Sequence, residues 1–210
     1  MRPLSSYYRV QKLVSWALRG RRFQLRGPRP YLQIGCGPNA APGFTNVDAH
    51  WCPGVDVCWD VTRGLPFADG VFKGVFSEHC LEHIPFDQTH RLLREVRRVL
   101  APGGVIRIVV PDGGGLVDRY ARIMAGEPLA FPPDEGEYFT FFSTPMTELN
   151  RGFYCYGHRF LFDFPTLKAL LEKSGFARVE RVAYGQGRDP ALVIDTERRR
   201  EGSLFVEASP

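Results

Sequence analysis

Six residues near the middle of the chain, Val105-Ile106-Arg107-Ile108-Val109-Val110, are apolar at every position but one. A strand with one wet face alternates apolar and polar residues. A run without alternation suits a strand covered on both faces, as at the centre of a parallel sheet. Parallel neighbours need long crossovers, usually helices, and the rest of the chain has that rhythm. Apolar runs predict strands at 31–34, 45–47, 55–59 and 71–76, with a turn at 65–70 between the last two. Leu92, Leu93, Val96, Val99 and Leu100 lie at helical spacing before Pro102-Gly103-Gly104. Pro111 through Gly115 should break the central strand. A second helical stripe follows in Leu116, Val117, Tyr120, Ile123 and Met124. A helix at 165–173, stopped by Gly175, and strands at 177–183 and 203–208 complete the pattern. The expectation is an α/β fold with a doubly wound, mostly parallel sheet of about seven strands.

Pro28 and Pro30 divide a head, residues 1–29, from a body, residues 30–210. Within the body, residues 127–160 lose the rhythm and are rich in Phe, Tyr and Pro, and they read as an aromatic insertion over the site. The first 30 residues hold eight Arg and Lys and no acid. The other 180 therefore carry a net −4 of the chain's +4. An acidic body is a poor surface for nucleic acid. The head mixes its charges with Val10, Leu13, Val14, Trp16, Ala17 and Leu18. The preferred reading is a helix packed on the core with a solvated basic edge. The alternative is peripheral contact with an anionic membrane or a polyanionic substrate. No apolar run reaches the ~20 residues of a membrane span, and no secretory signal is expected. Five cysteines without C-x-x-C spacing read as thiols in a reducing, cytoplasmic compartment.

The first strand ends on Gly35-Cys36-Gly37, and the second ends on Asp48. Two glycines let the backbone bend tightly and present N–H groups to an anion. A pyrophosphate site wants a third glycine opening a long helix, with an acid ~20 residues on. Here Asp48 follows Gly35 by 13 residues, so the first crossover helix is cut to a turn or less. That spacing turns the loop away from dinucleotides and toward another adenosine-bearing cofactor. Asp48 can accept hydrogen bonds from two vicinal ribose hydroxyls. Asp60, at the end of the third strand, can accept one from an adenine amine.

Ser77-Glu78-His79-Cys80-Leu81-Glu82-His83 follows the fourth strand. His79 through His83 matches the H-x-x-E-H pattern of inverted zinc peptidases. That chemistry needs a third ligand and has no use for a glycine loop, so no metal is expected. The segment is read instead as lining the crevice at the strand ends, where open α/β sheets bind ligands.

Together these residues, with Leu65-Pro66-Phe67, Glu95 through Gly104, Gly157 through Phe164 and Gly202 through Ala208, resemble a class I S-adenosylmethionine-dependent methyltransferase. Within that superfamily the chain is similar to a small bacterial group with a shortened loop helix and an E-H-x-L-E-H segment, often associated with surface polysaccharides. The resemblance covers residues 30–208 and implies a Rossmann-like methyltransferase fold with S-adenosylmethionine as cofactor. By position it implies Gly35, Cys36 and Gly37 at the methionyl end, Asp48 at the ribose, Asp60 and Val61 at the adenine, and Ser77 and Glu78 near the sulfonium. How the methionyl carboxylate is held stays open, because the loop lacks a full helix N-terminus. For a hydroxyl acceptor the candidate bases are His79 first, then His158, with Asp112 after the fifth strand a third. The chain lacks an N-P-P-Y-type segment and a Pro-Cys nucleophile, which leaves a sugar, glycan or small molecule as the expected acceptor. A nicotinamide-dependent oxidoreductase and a non-catalytic cofactor- or glycan-binding relative stand as the alternatives.

Overall fold

The computed structural model describes residues 13–18, which are helical (α1), 29–128 and 144–210. Seven strands form one sheet: β1 (Tyr31–Ile34), β2 (Phe44–Asp48), β3 (Val57–Cys58), β4 (Phe72–Glu78), β5 (Leu100–Pro111), β6 (Arg178–Val182) and β7 (Ser203–Ser209). Their order is β3-β2-β1-β4-β5-β7-β6. The five neighbours from β3 to β5 run parallel, and β7 is antiparallel to both β5 and β6. The doubly wound α/β reading holds. The strand order reverses at β1, between β2 and β4, and this is the switch point where a ligand crevice opens.

The expected shortening of the first crossover is complete. Residues 35–43 connect β1 to its parallel neighbour β2 through turns alone, with no helix. One face of the sheet is covered by helices in the ordinary way. α2 (Phe86–Val99) contributes Leu92, Leu93, Val96 and Val99, and α5 (Phe164–Lys173) contributes Leu167, Leu170 and Leu171, all packed on Leu32, Val75, Ile106, Ile108, Leu204 and Val206. The 65–70 turn is tied to α2 by Arg98, which donates to the carbonyls of Leu65 and Phe67 and pairs with Asp69 and Glu95.

The other face is covered differently. Phe44, Phe76, Val109 and Phe205 pack under Leu192 and Tyr184, residues of the irregular segment between β6 and β7. That segment is fixed by the one polar side chain in the apolar run of β5. Arg107 is fully buried. It pairs with Asp195 at 2.5 Å and with Glu207, its cross-strand neighbour on β7, at 3.1 Å. It also donates to the Gln186 carbonyl at 2.7 Å. Burial opposes the charge, but the Asp195 and Glu207 carboxylates outweigh it and hold the guanidinium above its ordinary pKa. A second clip lies at the end of β4, where the Glu78 carboxylate accepts from the backbone N–H and the hydroxyl of Thr196. The sequence offered Arg107 as an exception to an apolar run and gave no sign of its partners, which lie 88 and 100 residues away.

Three local expectations are corrected. β4 extends through Glu78, so Ser77 and Glu78 belong to the strand rather than to the loop after it. Gly113-Gly114-Gly115 opens a helix, α3 (Gly113–Met124), because the Asp112 carboxylate caps it by accepting from the Gly115 N–H at 3.0 Å. Residues 145–154 of the supposed irregular insertion form α4 (Pro145–Tyr154), started by a Thr144–Thr147 capping box with proline in the first turn. α4 packs on α3. Phe131, Tyr138, Phe139, Phe141 and Phe142 of that insertion lie outside the described residues, as does most of the basic head. Within the head, residues 13–18 are helical, Ser15 is buried and accepts from the Trp51 N–H at 2.8 Å, and Leu13 and Trp16 are exposed. Among the described residues no helix is long and apolar enough to cross a membrane.

Candidate active site

The turns after β1 bring the glycine loop against the end of β2. Gly35 and Gly37 have φ of +70° and +50°, the left-handed region that favours glycine. Their reasons differ. A side chain at Gly35 would sit 2.4 Å from the Cys80 Sγ, so the loop and the segment after β4 touch only because Gly35 has none. A side chain at Gly37 would meet nothing within 4 Å and would project into open space. Gly35→Ala should therefore lower stability by more than Gly37→Ala. Each pays ~1–2 kcal/mol for the left-handed backbone, and only the first adds the Cys80 clash. Urea melts of the two variants measure the difference, and equal losses would contradict the packing described.

Asp48 faces this loop. Its Oδ2 accepts from the Gly37 N–H at 2.8 Å and its Oδ1 from the His50 N–H at 2.7 Å. Each carboxylate oxygen has about two lone-pair directions, so each keeps one acceptor direction. The side chain is 14% exposed, and that exposure opens on two adjoining clefts. One, of ≈ 390 Å³, is lined by Gly35, Asp48, Asp60, Val61, His79 and Ile84 among others. The next, of ≈ 240 Å³, is lined by Gly35, Cys36, Gly37, Asp48, Glu78 and the two arginines Arg198 and Arg199. Asp60 caps the short helical turn Val61–Arg63 through its Oδ1, which accepts from the Thr62 N–H at 3.1 Å. Among the described residues its Oδ2 has only Arg63 nearby, at 3.6 Å. The Cys36 thiol is buried between Asp48 and Cys52, which pushes its pKa up. Cys36 thus meets the cleft as backbone rather than as a nucleophile.

His79 borders both clefts and also a third, of ≈ 360 Å³, that contains Glu82, His83, His158, Tyr156, Glu148 and Ser203. It has φ +48°, a conformation that costs a non-glycine residue ~1–3 kcal/mol and collects at functional sites. Three contacts hold it there. Its N–H donates to the Val109 carbonyl at 2.8 Å, Nδ1 lies 3.2 Å from the buried Glu82 Oε1, and Nε2 lies 3.0 Å from the Ser203 Oγ. The nearby carboxylate, although not hydrogen-bonded to the ring, favours a proton on Nδ1, and Nε2 then accepts from the Ser203 hydroxyl.

The remaining expected residues divide. His158 lines the third cleft, 75 residues from His83 in sequence and 5.1 Å from it between ring centroids. Its Nδ1 donates to the Gly152 carbonyl at 2.7 Å, and burial holds its pKa below the ordinary value. Ser77 lies beneath the floor: it is buried, and its Oγ has no hydrogen bond among the described residues. Glu78 reaches the ≈ 240 Å³ cleft with its carboxylate already bound to Thr196. Asp112 lines none of the three clefts. Its carboxylate caps α3 and pairs with Arg181 at 2.8 Å. Arg198 and Arg199 also line the ≈ 240 Å³ cleft. They lie in a charged stretch, Glu197 through Glu201, that reads as solvated surface until Thr196 and Asp195 anchor it beside the glycine loop.

Residues 42–108 match the family described as "Methyltransferase domain". No curated protein matches the chain. Among solved structures, an S-adenosylmethionine-dependent methyltransferase from Thermotoga maritima superposes with a TM-score of 0.52 and 17% identity, over 95% of this chain and 87% of that one. One from Mesorhizobium loti gives a TM-score of 0.51 and 18% identity, over 88% and 92% of the two chains. A chain of the Haloferax volcanii complex between the Trm112 methyltransferase activator and a methyltransferase gives 0.52 and 13%, over 95% and 88%. The likeness is one of fold. Residues 42–108 match that domain model, and the described body shares the Rossmann-like α/β fold of these structures.

Proposed function

We propose that the chain is an S-adenosylmethionine-dependent methyltransferase that methylates a hydroxyl of a sugar, glycan or small molecule. The observation that carries the reading is the convergence of Gly35–Gly37, Asp48 and Asp60–Val61 on one continuous trough at the switch point of the sheet. The residues fit such a cofactor. Asp48 keeps one acceptor direction on each oxygen for the two ribose hydroxyls, and Asp60 Oδ2 stands with Val61 for the adenine. Arg198 and Arg199, beside the glycine loop, supply the positive charge that a truncated loop helix cannot, and so answer the methionyl carboxylate. A dinucleotide would need a longer helix and a third glycine, and residues 35–43 provide neither.

S-adenosylmethionine supplies a methyl group already activated by its sulfonium. The protein's task is then alignment, which can contribute up to ~7–11 kcal/mol, together with removal of one proton. His79 is the base we assign. Its Nε2 takes the hydroxyl proton at the point where the Ser203 Oγ now donates, and Glu82 steadies the resulting imidazolium through Nδ1–H. The ≈ 360 Å³ cleft beside it admits the acceptor, and Tyr156, exposed at its rim, offers a ring face to a sugar.

His79→Asn keeps a residue that tolerates the left-handed backbone but removes the base. We expect kcat to fall about 10²–10⁴-fold with cofactor affinity and melting temperature near those of the wild type. An unchanged kcat would remove His79 from the chemistry. The function as a whole is tested by incubating the protein with methyl-labelled cofactor and a panel of nucleotide sugars, glycans and phenols. Label should appear on a hydroxylated acceptor. Transfer to amines alone would overturn the acceptor class, and cofactor binding without transfer to any acceptor would favour a non-catalytic relative.

A further inference from the structure

The pairing that the sequence suggests for a metal, His79 with His83 across one helical turn, does not form. His79 is left-handed, and residues Leu81–His83 make only a single tight turn. A different partner arrives. The Glu82 backbone carbonyl accepts from the N–H groups of Arg159 and Phe160, at 2.7 and 3.2 Å. This draws the segment after α4 onto the turn and sets His158 against His83. One ligand atom from each of Glu82, His83 and His158 then lies within 4.8 Å of the others.

Two independent features mark this cluster as built for an ion. Glu82 is fully buried, its Oε2 has neither a hydrogen bond nor an ion pair among the described residues, and its Oε1 has only His79 and His83 for company, at 3.2 and 3.9 Å. A buried carboxylate left bare is costly. Each histidine also turns one nitrogen to a backbone carbonyl, His158 Nδ1 to Gly152 at 2.7 Å and His83 Nδ1 to Gly157 at 3.4 Å. A carbonyl only accepts, so both Nδ1 atoms carry the proton and both Nε2 atoms keep a lone pair. Metal-binding imidazoles are oriented by the same kind of outer hydrogen bond.

We propose that Glu82, His83 and His158 form a binding site for a divalent cation. Two imidazole nitrogens and a carboxylate suit zinc or another first-row ion of similar softness. Ligand atoms ~2.0–2.2 Å from a tetrahedral ion lie roughly 3.3–3.6 Å apart, so the three must close by about an ångström. His83, with 39% of its side chain exposed, has room to turn inward. The remaining coordination position faces the ≈ 360 Å³ cleft. There the ion would hold an acceptor oxygen and ease its deprotonation beside His79. That role rests on the methyltransfer reading, whereas binding of the ion does not.

The test is a titration of Co²⁺ into untagged, chelator-stripped protein, followed by its visible ligand-field absorption and by displacement with Zn²⁺. One equivalent should bind. His83→Ala, at an exposed position that leaves the fold intact, should weaken binding at least ~10-fold, and Glu82→Gln and His158→Ala should abolish it. Circular dichroism of each variant reports folding. Absence of the absorption in wild-type protein, or wild-type affinity in His83→Ala, overturns the proposal. Calorimetry with S-adenosylmethionine on the same samples separates the two readings: a protein that binds the cofactor but not the ion defeats this site alone.

Discussion

Replacing Arg107 by methionine should lower the unfolding free energy by about 3–5 kcal/mol, the usual cost of stranding buried charges by removing their partner. For a chain of this size that is a fall in melting temperature of roughly 6–20 °C. The cause is specific. Arg107, Asp195 and Glu207 have side chains no more than 1% exposed. Without the guanidinium, among the described residues Asp195 is left without a cation and Glu207 keeps only the Arg188 Nε, at 3.7 Å. Glu207 also accepts from the Arg188 N–H, and Asp195 from the Gly185 N–H, so neither can swing out without breaking the segment that covers the sheet. The companion variant Arg107→Met, Asp195→Asn, Glu207→Gln removes the stranded charges and should recover a large part of the loss. A single variant as stable as wild type in thermal and urea melts would contradict the clip. The damage should also reach the site. Thr196 follows Asp195 directly, and Arg198 and Arg199 follow Thr196, so loosening the clip should weaken cofactor binding from a distance.

Asp48→Ala should reduce affinity for S-adenosylmethionine by roughly a hundredfold or more while the chain stays folded. Two hydrogen bonds to a charged acceptor are lost, each contributing ~1.5–3 kcal/mol, and every 1.4 kcal/mol is tenfold in affinity. The loss has a second source. Asp48 anchors the glycine loop through the Gly37 N–H and the next turn through the His50 N–H. Without it, the Gly37 N–H loses its acceptor and the loop one of its anchors. Asp48→Asn keeps one acceptor oxygen and should fall between the two. Calorimetry gives the affinities, and wild-type binding in Asp48→Ala would remove the ribose assignment.

What the sequence made legible follows from how local each signal is. The strand ends carrying Gly35, Gly37, Asp48 and Asp60 were readable because each is a short apolar run followed by residues with a backbone or charge role. The missing crossover helix was readable as a distance along the chain. Features made by distant segments were not readable. Arg107 reads as a blemish in β5, and His158 reads as a second candidate base with no sign of its neighbour His83, because their partners come from elsewhere in the fold. Asp112 shows the opposite failure. Its position after a central strand suggested chemistry, but an acid three residues before a backbone N–H at a helix start is also a cap, and here the cap is what forms. Thr144-Pro145 was a comparable start signal for α4, masked by the aromatic composition around it.

On the proposed reading, the trough over β1, β2 and β3 takes S-adenosylmethionine and not a dinucleotide. The most direct measurement is a calorimetric titration of the wild-type protein with S-adenosylmethionine, run beside identical titrations with the oxidised and reduced nicotinamide dinucleotides. One saturable site for S-adenosylmethionine and no binding of either dinucleotide are expected. Saturable binding of a nicotinamide dinucleotide, with none of S-adenosylmethionine, would contradict it.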